Sequence, residues 1–365
     1  MRRAALLAVF LALLCAVPVR AVDALEAERE ILQVDALQDG LPDSARDALA
    51  DCDPSGGTDF ADMLFSIVKW ASELSLGTLH DAVRTAAMLL AAAILCALAG
   101  RAHPGAEIPV LPLTGAVASA VIFTGGMRSM TNLAAAALDE LDAYAKLLLP
   151  VMCGAATASG AVTGAGAVYM GSSLFFSMLT SAIRAALLPL VYAFIALCTL
   201  ECGLSDSRLG GVRKLLGWCI SMFLKAVMTI FTAYISITGL LSGSSDEAAL
   251  SAAKSALSAA IPVVGSIASD ASEAVLQSAK LLRAGAGTFG ILAVCAMSLV
   301  PFLRITVCYL TMKLAAAAAG MTAEKAHAAL LEHFAAAMGY LLAMLGSAAL
   351  MLLLSICCFM KVVSG

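Results

Sequence analysis

From residue 85 to its end the chain is a succession of apolar runs, each near or beyond the ~20 residues an α-helix needs to cross a bilayer. Nothing else in the sequence limits the fold as much. Composition agrees: 61% of residues are hydrophobic, 13% are charged and the mean hydropathy is +0.95. A soluble domain is about half apolar and a quarter charged. The reading is an all-α, polytopic membrane helix bundle.

The candidate spans are about 82–100, 108–127, 174–200, 215–241, 286–314 and 334–360. Two further segments, 145–170 and 257–283, are harder to place. The second carries Asp270, Glu273, Lys280 and Arg283. A charge at the bilayer centre costs about 2.5–3.5 kcal/mol, so it does not read as a lipid-facing span. The first is a run of Gly, Ala, Ser and Thr. Basic residues favour the cytoplasmic side, which places the loop "SDSRLGGVRKLL" (205–216) inside. That orientation follows if 145–170 does not cross. The expectation is therefore about six spans, within a range of five to eight, with both segments returning to the outer side as broken or re-entrant hairpins. Irregular backbone at that depth is tolerated only where protein or water covers it.

The two segments share a pattern. Each runs apolar residues into Pro-Val, at Pro150 and Pro262, and each is followed by an apolar helix with its own proline, Pro189 or Pro301. Both proline pairs are 39 residues apart, and the offset between copies is 112. This reads as an internal repeat with units at about 108–214 and 220–333. With two spans per unit the copies are parallel; with three they would be inverted, as in many transporters. Chance alignment of Ala-rich apolar text is the alternative. Proline kinks a helix, and "GAVTG" (160–164) is a small-xxx-small face for close packing. Pro150, Gly154, Gly160, Gly164, Pro189, Pro262, Gly265 and Pro301 are the candidates for lining a pore or for packing. Arg184 and Arg304 join them, because a charge deep in a span is functional by default; otherwise both reach the headgroups. Lys225 and Lys313 sit where a lysine snorkels to an interface.

The N-terminal region differs in kind. Residues 1–21 read as a signal peptide: "MRR", then the apolar "AALLAVFLALLCAV", then Ala21 at a cleavage point. An uncleaved anchor is the other reading. Residues 22–80 form an acidic extracytoplasmic segment, with twelve Asp/Glu between Asp23 and Asp62 against Arg29 and Arg46. "LPDSARDAL" (41–49) looks like a short helix. Phe60, Met63, Leu64, Ile67, Val68, Ala71 and Leu74 give 60–74 the stripe of an amphipathic helix, resting on the membrane or on a partner. Residues 81–365 are the transmembrane domain.

Chemistry-bearing motifs are few. "GAGTFG" (285–290) matches G-x-G-x-x-G, but it follows no strand. There is no P-loop. "EKAH" (324–327) puts Glu324 and His327 on one helix face, while a di-iron bundle needs two such copies; a solvated helix at the membrane edge is the expectation. His80 and His103 stand alone. The cysteines fall mostly inside apolar runs, as small hydrophobes, with no disulfide or zinc spacing. No catalytic, cofactor or metal site is expected, and no nucleic-acid partner.

The stretch 252–317 resembles the stage III sporulation protein AE family of endospore-forming bacteria. It is carried by "IPVVGSIASDASEAVLQSAKLLRAGAG" (261–287), an apolar helix with Pro301, and "KLAAA" (313–317). The "LPDSARDAL" element is similar to that family's exported segment. The resemblance implies a non-enzymatic component of a spoIIIA-operon complex in the mother-cell membrane around the forespore. That complex is a channel, likened to a secretion apparatus, which sustains late forespore gene expression. The implied partners are other spoIIIA-operon proteins, including a separate ATPase and ring-forming subunits, and a forespore-membrane protein across the intermembrane space. The residues taken alone also allow a stand-alone secondary transporter built on the repeat.

Overall fold

The computed structural model describes residues 40–42, 45–46, 60–102, 110–158, 162–204, 207–260, 265–322 and 325–361. The signal-peptide stretch, most of the acidic segment, Gly160 and Pro262 lie outside the described residues. Of "LPDSARDAL", Ala45 and Arg46 are helical, and both N–H groups donate to the Pro42 carbonyl, at 2.9 and 3.0 Å.

Among the described residues the long elements are all helical. They are α1 (Phe60–Ala102), α2 (Val110–Ala158), α3 (Val162–Ala182), a five-residue π-helix (Ile183–Leu187), α4 (Leu188–Leu204), α5 (Ser207–Ala260), α6 (Gly265–Thr322) and α7 (Lys325–Lys361). The π turn joins α3 and α4 into one rod, giving six rods. Its cause is local. Pro189 has no N–H to give the ladder and crowds the carbonyl four residues back. One residue earlier the ladder has already widened, with the Leu188 N–H donating to the Ile183 carbonyl.

Side-chain contacts fix how the rods run. Gly115 lies against Cys96, and Gly126 is 4.0 Å, measured from a Cβ built on it, from Thr85; α1 and α2 are therefore antiparallel. Leu113 meets Gly203 and Asp139 meets Arg184, so α2 is antiparallel to the α3–α4 rod. Tyr234 lies on Gly171 and Arg213 on Glu201, so that rod is antiparallel to α5. Tyr309 meets Gly339, Phe302 meets Gly346 and Met360 meets Gly287, so α6 and α7 form one long hairpin. The C-terminal ends of α1, α4 and α6 and the N-terminal ends of α2, α5 and α7 thus gather at one end of the bundle, called here the turn end.

Lipid tails are as apolar as leucine, so helices in a membrane associate through close packing and hydrogen bonds rather than apolar burial. The seams show this. Gly339 and Gly346, seven residues apart on α7, are notches for the Tyr309 and Phe302 rings, which a Cβ would approach to 3.4 and 3.5 Å. At Gly203 a Cβ would stand 3.2 Å from the Leu113 Cα, a backbone-to-backbone crossing. Small buried residues (Ala86, Ala93, Ala134, Ala145, Ala156, Ala165) line the interior. Phe123 of α2 and Phe334 of α7 stack with centroids 4.1 Å apart and planes 2° apart.

Among the described residues, five segments are long and apolar enough to cross a membrane: Gly77–Ala99, Gly164–Leu204, Leu209–Thr238, Ala286–Met321 and Lys325–Met360. They contain or closely overlap five of the six expected spans. The sixth, 108–127, begins outside the described residues, and the rest of it opens α2. The Cys96–Gly115 and Thr85–Gly126 contacts hold this part of α2 level with the α1 window.

Two expectations about local structure change. The amphipathic stretch 60–74 is no separate helix: it is the start of α1 and runs straight into the first window. Ile67 and Ala71 are buried, whereas Val68 and Leu74 are about half exposed. Pro150 does not break its helix: α2 continues through it to Ala158, and the next helix starts at Val162.

Candidate functional site

The residues singled out from sequence do not converge. Pro150 and Gly154 lie in the last turns of α2, with the Gly154 carbonyl accepting from Thr157 Oγ1 at 2.8 Å. Gly164 is buried in the first turn of α3. Pro189 is exposed on α4, Pro301 is buried within α6, and Gly265 is the first residue of α6. Arg184, in the π turn, pairs with Asp139 of α2, and both side chains are substantially exposed. Arg304 turns the other way, its Nη2 donating to the Leu74 carbonyl of α1 at 3.3 Å. The two arginines therefore serve different seams rather than one lumen.

Pro150 does line an open cleft between α2 and α3, with Asp142, Lys146, Leu149, Tyr169 and Ser173. Lys146 Nζ donates to Asp142 Oδ2 at 2.7 Å across one helical turn. Beside the cleft's acid, burial pushes the Glu140 carboxyl up from its ordinary value. Tyr144 faces inward, fully buried, its hydroxyl without a hydrogen-bond partner, and burial pushes that phenol up as well. The clue to the cleft was present in "LDELDAYAK" (138–146), where an i, i+4 acid–lysine pair interrupts apolar text.

A second polar group ties the turn end together. Arg213 Nε donates to Glu201 Oε2 at 2.6 Å with side chains only 14% and 26% exposed, joining α4 to α5. Phe194 of α4 packs edge-on against Tyr340 and His333 of α7, with centroids 5.4 and 6.3 Å away. Lys313 Nζ donates to Glu332 Oε1 at 3.1 Å, joining α6 to α7. His327 is not on a solvated face: it is 2% exposed, with Nε2 against Gly115 where α1, α2 and α7 meet. Glu324 lies outside the described residues. None of these partners is close in sequence, so spacing alone does not reveal them.

These groups hold helices; they do not assemble a nucleophile, a base and an oxyanion site. Among the described residues no three His, Cys, Asp or Glu side chains come together as a metal site. The arrangement defines a class: a multi-pass membrane protein, all-helical in its described long elements, whose rods are joined at a few polar contacts. Within that class, the chain belongs to the stage III sporulation protein AE family, whose model matches residues 68–362. No curated protein and no solved structure matches it.

Proposed function

We propose that the protein is a non-enzymatic membrane component of the channel-like complex linking mother cell and forespore, needed for late forespore gene expression. The family match over 68–362 carries this reading. The helices suit such a part. At 1.5 Å per residue, α5 and α6, of 54 and 58 residues, are about 81 and 87 Å long, well beyond a ~30 Å hydrocarbon core. The excess offers rigid surface outside the lipid to other spoIIIA-operon proteins, among them ring-forming subunits and a separate ATPase, and to a forespore-membrane partner. The signal peptide and the outward N-terminal segment belong to the same proposal, as does the parallel 112-residue repeat.

The permease reading needs a shared central site, and Arg184 and Arg304 lie in separate seams. Deleting the gene in its host and imaging engulfed cells with a late forespore reporter tests the proposal. Small, silent forespores are expected. Full-sized, bright forespores maturing to spores at normal yield would reject it, and solute uptake by the purified chain in liposomes would then favour the permease.

A further inference from the structure

The outer surface of α3 carries two stripes side by side. Tyr169, Ser173, Ser177 and Ser181 follow one another at four-residue spacing and so share one face. Leu174 and Met178, one position further on, repeat at the same spacing, and both are exposed. An exposed apolar stripe on a membrane helix suits lipid. The hydroxyl stripe does not, and it is the one turned to α2: Tyr169, Ser173 and Ser177 line the open α2–α3 cleft, with neither Leu174 nor Met178 among the lining residues. Ser181, also exposed, continues the line one turn on.

Opposite this stripe α2 supplies charge. Asp139, Asp142 and Lys146 stand at i, i+3 and i+7, on one face. Lys146 bonds to Asp142, and Asp139 pairs with Arg184 of the π turn, with both of those side chains substantially exposed. Arg184 is the one charge between Lys146 and Glu201. Eleven residues, about 17 Å of helix, separate Asp139 from Pro150 at the other end of the cleft.

Polar groups facing hydrocarbon need partners. Other hydroxyls of the rods find one in their own helix, whether buried or exposed. Ser298 and Ser355 donate to the carbonyl four residues back, and so do Thr232 and Ser347. Among the described residues, none bonds to the hydroxyls of Ser173, Ser177 or Ser181. A hydroxyl left so in an apolar medium is costly, and an ion pair exposed to lipid is costlier still. Water removes both costs.

We propose that the α2–α3 groove is filled with water from Pro150 to the Arg184–Asp139 pair and admits small hydrophilic ions and molecules along the flank of the bundle. The groove needs no second chain to form, so the inference does not rest on the channel-complex reading.

Single cysteines at Ser173, Ser177, Ser181, Leu174 and Met178, in the full-length chain freed of its native thiols and held in vesicles of known orientation, test this. The probe is a small, membrane-impermeant cationic methanethiosulfonate. Its target is the thiolate, and apolar surroundings keep a thiol protonated. Ser173→Cys, Ser177→Cys and Ser181→Cys are expected to react from the face that reaches Lys146→Cys, at least about tenfold faster than Leu174→Cys and Met178→Cys. Peptide mass spectrometry locates each label, so the native cysteines can stay if the thiol-free chain does not fold. Failure of Ser177→Cys and Ser181→Cys to react, or equal rates at the serine and the apolar positions, would overturn the proposal. Chains disulfide-linked through Ser177→Cys in place of labelling would also overturn it, and would assign the groove to a second copy.

Discussion

Gly171 of α3 is the sharpest test of how the rods are held together. A Cβ there would fall on the Tyr234 ring of α5. That ring has little freedom to retreat: its hydroxyl donates to the Ala167 carbonyl at 2.8 Å, and its flank meets Phe175, 5.8 Å between centroids. Gly171→Ala must push the ring aside and break the bond. Overpacking by one methyl costs about 1–3 kcal/mol, and the lost hydrogen bond about 0.5–1.5 kcal/mol. We expect about 2–4 kcal/mol in total, read as a lower unfolding midpoint in detergent. The decisive comparison is a double-mutant cycle with Tyr234→Ala. With the ring gone the added methyl loses its nearest contacts, and alanine is the better helix former by up to ~1 kcal/mol. Gly171→Ala should then be neutral or mildly stabilising. An equal loss in both backgrounds, or no loss in the wild type, would refute the α3–α5 packing described above.

Three further outcomes follow from the same contacts. Arg213→Gln strands the Glu201 carboxylate and should cost about 2 kcal/mol, less than the ~3–5 kcal/mol of a fully buried pair, since both side chains keep some exposure; replacing both with Met should recover most of the midpoint. Tyr144→Phe removes a buried hydroxyl with no partner and should hold or raise stability by up to ~1 kcal/mol; a drop of that size would place an acceptor beside it. For Glu140, burial raises the folded-state pKa above the ordinary 4.5. Its contribution to stability is therefore complete below that value and is lost as pH rises through the folded pKa. Glu140→Gln should melt higher than wild type at pH 7 and equal to it at pH 4, in paired melts across that range.

Helical class and the positions of most spans were legible because run length alone separates membrane helices from other structure. The runs at 174–200, 286–314 and 334–360 fall inside the observed windows, and 82–100 matches its window to within one residue at the C-terminal end. Helix ends were not legible. Ala-rich text such as "AAALDELDAYAK" (135–146) propagates a helix without announcing where it stops, so α2 passes through Pro150 and α1 begins as early as Phe60. Pro150 marks no chain reversal, and at Pro189 the ladder answers with a π turn. The site was harder still. Arg184 and Arg304 stood out as charges in apolar text, but their partners, Asp139 and the Leu74 carbonyl, lie 45 and 230 residues away. His327 looked solvated because it falls beside Glu324 and Lys325 between two apolar runs, at the expected membrane edge. Its burial comes from Gly115, which admits the ring.

Everything above depends on the rods crossing the membrane with the turn end on one side and the α2–α3 cleft on the other. Single cysteines can be placed at Lys214, Lys325, Lys146 and Met170, all exposed, in a chain freed of its native thiols. A membrane-impermeant thiol reagent applied to each face in turn then reads the topology. Lys214→Cys and Lys325→Cys should react from one face only, and Lys146→Cys and Met170→Cys from the opposite face only. All four reacting from the same face would contradict the account.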